Sequence, residues 1–331
     1  MASFQAPVPE QEWYRCSIPR KELKAYLARD NYHGLIHMGL WFVVLAGLGV
    51  VAFVAIGTYW VLPAFLLYGV VYSSANALWH ECSHGTVFKT GWLNTAGYFL
   101  FGAMELRDTI EFRWSHTRHH SLTLHSGIDP EIPTKRPPNL GLFLLDFFYI
   151  YNGFVALKNI LLHSIGIVSK KARDYVPPDE YRAMFWAARG VLLVQAIPIA
   201  AAIYFQSILP VLFFGLPRFY GAFLQFTFIA QQHAGLPENT WDHRINTRSF
   251  RLSVPMRFLF MNMEHHIEHH MFPMVPFHAL AELSNRIKGE MPVPYFMLYG
   301  RGFWEMVRAL LVQRKDPQYS IEKTIPEASG T

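Results

Sequence analysis

Two long apolar stretches, LIHMGLWFVVLAGLGVVAFVAIG at residues 35–57 and WVLPAFLLYGVVYSSANALW at residues 60–79, are separated only by Thr58 and Tyr59. Neither stretch contains Lys, Arg, Asp or Glu. Each is long enough for a helix that crosses a bilayer, which needs about 20 apolar residues. The two-residue link predicts a tight helical hairpin. Because the polar sequence HECSH, residues 80–84, follows at once, its side chains are expected at the membrane exit.

A second pair of apolar stretches, at about 186–205 and 208–229, predicts a second hairpin. Charged residues make up 16% of the chain, against about 25% in soluble domains. Lys and Arg are absent from the links at 58–59 and 206–207 and frequent elsewhere, so the positive-inside rule places both termini and the central loop in the cytoplasm. We therefore predict three regions: a cytoplasmic segment, a membrane domain and a cytoplasmic tail, at residues 1–34, 35–290 and 291–331.

Composition excludes several other classes of protein. The two cysteines, Cys16 and Cys82, cannot form a disulfide framework or hold an iron–sulfur cluster alone. The net charge of +5 comes without a basic stripe or a nucleic-acid-binding motif, so we expect no nucleic-acid partner. In a membrane protein, such a charge is typical of cytoplasmic loops that hold the orientation.

Nine of the sixteen histidines lie in three short windows: HECSH at 80–84, HTRHH at 116–120 and HHIEHH at 265–270. Helix positions three and four apart share a face, so each window can direct two or three imidazoles at a metal. Eight such histidines exceed the four ligands of a structural zinc, and imidazole suits iron as well as zinc. The surplus indicates two metals.

Two other classes of protein remain open at this point. A zinc-dependent membrane hydrolase would need about three protein ligands and one water. A metal transporter would place histidines along a path within the spans, whereas here they lie at the ends.

His233 ends the fourth apolar stretch, at the depth expected for the site, and is a candidate ligand. Ligating histidines often donate their second N–H to a carboxylate. The residues that we expect in this outer layer are Glu81, Asp129, Glu264, His265 and Glu268. Glu131 is a further candidate for this layer, and a solvated loop charge is nearly as good an interpretation of it. His125 and His243 are interpreted as surface residues, with a place in this outer layer as the alternative, and His278 is interpreted as a packing residue.

Arg218 lies inside the fourth apolar stretch, next to Pro217. A charge in a span is costly and usually faces protein or a water-filled cavity. Arg218 is therefore a candidate for lining a substrate pocket; the alternative is that it meets a buried partner.

The series HxxxH, HxxHH, HxxHH resembles the signature of the membrane fatty acid desaturases, over about residues 35–290. In that family the boxes bind two irons, and a further histidine after the last span completes the set. The resemblance implies an all-α integral membrane fold with four transmembrane helices as two hairpins and a cytoplasmic helical cap that carries a di-iron site. It implies the ligands His80, His84, His116, His119, His120, His233, His266, His269 and His270. Some members have asparagine four residues before the extra histidine, where this chain has Ile229.

The resemblance also implies the chemistry: two Fe ions use O₂ to oxidise an unactivated C–H bond, with fatty acyl or lipid desaturation as the favoured outcome. The stretch MFPMVPFHAL, residues 271–280, is similar to bacterial members, which include hydroxylases and demethylating oxygenases of small molecules such as rhizopine oxygenases. These outcomes remain alternatives. We expect a separate electron donor, ferredoxin-like or other, with its reductase, and a location in a bacterial inner membrane with the active site cytoplasmic.

Overall fold

The computed structural model describes residues 11–296 and 299–326. Two short strands in this part of the chain, β1 (Phe250–Arg251) and β2 (Tyr295–Phe296), pair in parallel. Short 3-10 turns occur at Asp146–Phe148, Ala172–Asp174 and Pro178–Glu180. The α-helices of the described residues are α1 (Arg20–Tyr26), α2 (Tyr32–Val54), α3 (Val61–Ser73), α4 (Ala75–Ser83), α5 (Gly91–Met104), α6 (Thr109–Ser121), α7 (Leu140–Leu145), α8 (Ile150–Ser164), α9 (Tyr181–Tyr204), α10 (Leu209–Phe214), α11 (Pro217–His233), α12 (His243–Asn246), α13 (Val254–Leu259), α14 (His266–Met271), α15 (Leu280–Ile287) and α16 (Arg301–Gln313).

Four helical segments are long and apolar enough to cross a membrane, at Tyr32–Val54, Val61–Ser83, Pro178–Tyr204 and Leu209–His233. The second consists of α3 and α4, and the fourth consists of α10 and α11. The predicted all-α architecture with four spans is confirmed. A further apolar pair, Leu140–Phe148 and Ile150–Ser164, is bent by 77°.

The surface of α2 has the composition of a lipid-facing helix. Only 11% of its most apolar window is buried, and Val43, Val50 and Val54 are more than half exposed. A soluble protein rarely exposes so large a contiguous apolar surface. The exposed side of α2 therefore fits contact with acyl chains.

The second and fourth spans cross at two glycines. A Cβ atom added at Gly221 would lie 1.9 Å from the carbonyl carbon of Gly69. No side chain fits there, so the backbones of α3 and α11 touch. Pro217 begins α11, where its missing N–H costs no helical hydrogen bond.

At the end of α11 that carries His233, the short helices α14 and α15 pack onto the span. Phe228 of α11 stacks on Phe260, with ring centroids 4.2 Å apart. Ile267 and Met271 of α14 belong to the same buried cluster. This core fixes α14 against the end of the fourth span, and α14 carries the third histidine window.

Candidate metal centre

The spanning helices themselves position two of the histidine groups. His80 lies near the end of α4, and His84 caps the C-terminus of that helix. They are four residues apart and share a face, with ring centroids 5.0 Å apart. His233 is the last residue of α11. The first box and His233 therefore both lie at the end of a span.

The other two boxes lie on helices of the cap. The helix α6 begins after Asp108, whose side chain accepts hydrogen bonds from the amides of Ile110 and Glu111, the usual arrangement at an N-cap. The second box occupies the last two turns of α6. The third box occupies α14, which begins at His266 with His265 as its N-cap.

The structure brings five histidines into one group, which we call the five-histidine set. Its ligand atoms all lie within 4.8 Å of one another. The Nε2 atom of His116 is 3.2 Å from that of His84 and 3.1 Å from that of His120. Ligands bound about 2.1 Å from one ion lie about 3.0 Å apart in an octahedral site and about 3.4 Å apart in a tetrahedral one, so this spacing fits a shared metal. The members are His80, His84, His116, His120 and His269.

A second group lies beside the first and contains His119, His233, His266 and His270; we call it the four-histidine set. The ligand atoms of His119, His233 and His270 lie within 4.8 Å of one another. The Nε2 atom of His266 lies 3.1 Å from Nε2 of His233 and 3.2 Å from Nε2 of His270. The two sets adjoin, because the rings of His120 and His270 are 4.4 Å apart.

The outer nitrogens of several rings are already engaged. Nδ1 of His116 lies 2.9 Å from Glu131, and Nδ1 of His119 lies 2.9 Å from Asp129. Nδ1 of His233 lies 3.1 Å from the carbonyl oxygen of Asn246. These acceptors assign the proton to Nδ1 and leave the Nε2 lone pair pointing into the centre, as in metal sites whose ligands are held by an outer layer.

Burial keeps most of these histidines neutral. It lowers the pKa of His84 to about 4, and burial together with neighbouring histidines lowers the pKa of His120 and His269. Burial also disfavours the charged form of His119, but Asp129 outweighs it and raises the pKa of that ring. Neutral imidazole is the form that binds metal.

Unpartnered nitrogens provide the test of whether a metal fits. His269 is fully buried, and neither of its ring nitrogens has a hydrogen-bond partner. An unsatisfied buried polar group costs about 1–3 kcal/mol. A metal bound by Nε2 would satisfy one of these nitrogens. The all-imidazole donor set fits iron, and the two adjoining sets offer two positions.

The carboxylates that were expected to hold the outer nitrogens of the histidines do so only in part. Asp129 contacts His119, whereas Glu81 lies 3.7 Å from His80 and 3.9 Å from His269, beyond hydrogen-bonding distance. The carboxylate of Glu268 accepts hydrogen bonds from two serines, Ser249 and Ser284.

Glu264 pairs with Arg257 at 2.6 Å and lies 3.8 Å from His265. Arg218 is buried and pairs with Glu105 at 2.9 Å. Arg218 therefore meets a buried partner, which was the alternative to lining a substrate pocket.

Sequence reasoning undervalued three residues near the centre. Glu131 binds His116, and Thr123 lies 3.2 Å from Nδ1 of His270. His243 packs 5.1 Å from His270, measured between ring centroids. The contact of Glu131 could have been expected from the sequence, because Glu131 is a carboxylate only two residues after Asp129. Nothing in the local sequence indicates the other two contacts.

Comparison with known proteins identifies the family. The family model described as "Fatty acid desaturase" matches residues 57–300. A curated relative from Dimorphotheca sinuata, the "Delta(9) fatty acid conjugase-like enzyme", is 23% identical over 280 residues, which cover 76% of this chain and 73% of the relative. The predicted resemblance is confirmed: the chain belongs to the fatty acid desaturase family, and membership makes it a membrane oxidoreductase of the desaturase and hydroxylase type that uses iron and O₂.

Proposed function

We propose that this protein is a di-iron enzyme that desaturates a fatty acyl chain or lipid with O₂. The observation that carries the proposal is the division of nine buried or partly buried histidines into adjoining sets of five and four. One metal cannot use nine imidazoles, since structural zinc takes four ligands and octahedral ions take six. When bound, the irons would activate O₂ for attack on a C–H bond.

The protein's own residues would position and insulate that chemistry. The five-histidine set would hold one iron and the four-histidine set the other. Asp129 and Glu131 would keep protons on the outer nitrogens of His119 and His116, so that Nε2 remains free to bind. Burial would exclude bulk water from the reacting atoms.

The location of the site supports an acyl substrate. His80 and His233 lie at the ends of two helices long enough to cross a membrane, so an acyl tail could remain among the spans while the carbon to be oxidised lies at the histidines. The relative from Dimorphotheca sinuata is named for action on fatty acids. We further propose that residues 35–290 form the membrane domain, flanked by cytoplasmic segments at 1–34 and 291–331 in a bacterial inner membrane. A separate donor protein and its reductase would supply electrons.

A second candidate function is hydroxylation or demethylation of a smaller, more polar substrate. It is favoured by a buried polar network one turn below His80 in α4. Asn76 donates to Glu105 at 3.1 Å and accepts from Gln225 at 3.0 Å, and Glu105 pairs with Arg218. Such groups do not suit contact with an unsubstituted acyl tail.

The two functions are separated by their products. Lipids and small metabolites from host cells that produce the protein should be compared by mass spectrometry with those from cells that produce His269→Ala. A desaturase yields an acyl chain lighter by H₂, a hydroxylase yields a product heavier by one oxygen atom, and a demethylase yields a product lighter by CH₂. Elemental analysis of anaerobically purified protein should find about two irons per chain, as two metal sets require. Stoichiometric zinc alone in active protein would refute the di-iron proposal.

A further inference from the structure

The segment before α1 packs on residues that adjoin the four-histidine set. The amide of Tyr14 donates to the carbonyl oxygen of Trp241 at 2.8 Å, and Nε1 of Trp13 donates to the carbonyl oxygen of Ser121 at 3.0 Å. Trp13 is partly exposed. Its ring stacks on His243, with centroids 3.9 Å apart and planes 3° from parallel. A partly exposed ring is therefore held parallel to, and in contact with, a buried ring.

His243 continues this stacking inward. It is 2% exposed, and its ring centroid lies 5.1 Å from that of His270. His270 belongs to the four-histidine set and lies 4.4 Å from His120 of the five-histidine set. Trp13, His243 and His270 therefore form a continuous path of rings from the surface to the proposed metal positions, which we call the ring stack.

The proposed reaction needs electrons from outside the substrate. Desaturation takes two electrons and two protons from the substrate, whereas reduction of O₂ to two waters takes four of each. Two electrons and two protons must be supplied, and the two cysteines of this sequence cannot hold an iron–sulfur cluster that would store them.

We propose that the ring stack is the route by which these electrons enter, one at a time, from a reduced one-electron carrier protein docked over Trp13. The proposal rests on the di-iron function proposed above. In each transfer the carrier is oxidised by one electron and one bound ferric ion is reduced to ferrous. The rings of Trp13 and His243 undergo no net change. Their contact replaces through-space gaps by a chain of π systems across which an electron can tunnel.

Basic side chains reached from Ser121, which Trp13 contacts, indicate what kind of carrier would dock on this face. Ser121 ends α6, and Arg118 lies one turn earlier on the same face. Arg118 donates to the carbonyl oxygen of Asp174 at 2.7 Å, close in sequence to the exposed side chains of Lys170 and Lys171. A basic surface steers acidic partners toward it. The carrier should therefore be an acidic protein with its redox group near the surface.

A purely structural role for Trp13 would be to seal the site against water. Sealing depends on the volume of the side chain, whereas electron transfer depends on the aromatic ring. Trp13→Phe keeps a ring, and Trp13→Leu keeps an apolar side chain without one. The two roles therefore predict different orders of effect for these variants.

The test uses the iron-loaded full chain and a light-driven electron source in place of the carrier. Both native cysteines are buried, so Glu12→Cys supplies an exposed thiol beside Trp13 for a ruthenium polypyridyl label. After a flash, a sacrificial amine reduces the excited label, and the reduced label gives one electron to a ferric ion. The rate of iron reduction is followed by absorbance and by electron paramagnetic resonance.

The ring stack predicts that Trp13→Leu and His243→Leu each slow iron reduction severalfold and that Trp13→Phe slows it less. Trp304→Leu is the matched control, because Trp304 is an exposed tryptophan in α16, and its rate should equal that of the parent. Parent-like rates in both leucine variants at full iron content would overturn the proposal. If Trp13→Leu loses iron, Trp13→Met replaces it, since the flexible methionine side chain fills irregular space without a ring.

Failure of the di-iron function would look different. Each variant is therefore also assayed for iron content and for reduction by dithionite, which needs no docked carrier. A parent protein without iron that dithionite can reduce would refute the di-iron function itself. If dithionite reduces the iron normally and the label-driven rates of the leucine variants equal that of the parent, only the electron route is refuted.

Discussion

Replacing Asp129 by asparagine should release the metal of the four-histidine set before that of the five-histidine set. The Asp129 side chain is fully buried. It accepts hydrogen bonds from Nδ1 of His119 at 2.9 Å, the amide of Leu124 at 2.8 Å and the amide of Glu131 at 2.8 Å. Asparagine has the same shape but offers one oxygen and one NH₂ group. If the NH₂ faces His119, the ring proton must move to Nε2, the nitrogen that would bind metal.

The expected size of the effect follows from these contacts. Loss of an outer partner of a metal ligand typically lowers metal affinity about 10–100-fold, which corresponds to about 1.4–2.8 kcal/mol. The buried donor left without an acceptor should also lower the free energy of unfolding by about 1–3 kcal/mol. Anaerobic competition with a chelator measures the first quantity. At a chelator concentration that leaves the parent full, Asp129→Asn should retain about one of two irons, because only one set contains His119.

Glu264→Gln provides the matched control. Its carboxylate is also buried but pairs with Arg257, and its nearest histidine, at 3.8 Å, is His265, outside both sets. This variant should lose stability without losing iron. Unchanged iron affinity in Asp129→Asn, or an equal loss in Glu264→Gln, would refute the assignment of Asp129 as the residue that orients His119.

Four further outcomes are expected. His269→Ala should abolish turnover and reduce bound iron in elemental analysis, whereas His278→Ala, outside both sets, should retain both; normal activity in the former would remove that ring from the ligands. In the metal-free protein, burial lowers the pKa of His84 to about 4, so below the unfolded value of about 6.5 the unfolded chain binds a proton that the folded chain excludes. The free energy of unfolding should therefore fall as pH drops from about 6.5 to about 4, and a flat profile in thermal melts would contradict this. Tags at Lys170 and at both termini should report one side of the membrane, and a tag at Thr58 the other; opposite sides for Lys170 and the termini would break the topology. Turnover at limiting donor should fall as salt shortens the Debye length from about 10 Å at 0.1 M to about 3 Å at 1 M, and Lys170→Glu should raise the donor's KM with little change in kcat, whereas salt-independent turnover would exclude steering.

The parts of the site that the sequence predicts depend on short-range geometry. Each box places its histidines three or four residues apart, a spacing that puts them on one face whenever the segment is helical. The apolar stretches likewise predict the spans from length alone. Neither inference needs to know how the chain folds back on itself.

The outer layer was harder to predict, because it depends on how loops bring distant residues together. Asp129 and Glu131 both lie in the loop after α6, and both contact a histidine of that helix. Glu264 is adjacent to the third box in sequence, yet its carboxylate pairs with Arg257. Closeness in sequence predicts contact within a helix and predicts little in a loop. The pairing of Trp13 with His243 joins residues far apart in the chain and leaves no local signal.

The crossing of two spans explains why the first box and His233 lie at one depth. At Gly69 and Gly221 the helices touch through their backbones, and from this point both helical segments run toward the site. His80 follows Gly69 by eleven residues and His233 follows Gly221 by twelve, which correspond to rises of about 16 and about 18 Å at 1.5 Å per residue. The two histidines therefore arrive at nearly the same height although they belong to different sets. The similar spacing of His80 and His233 from the two glycines therefore accounts for their common height, and it brings one member of each set to that level.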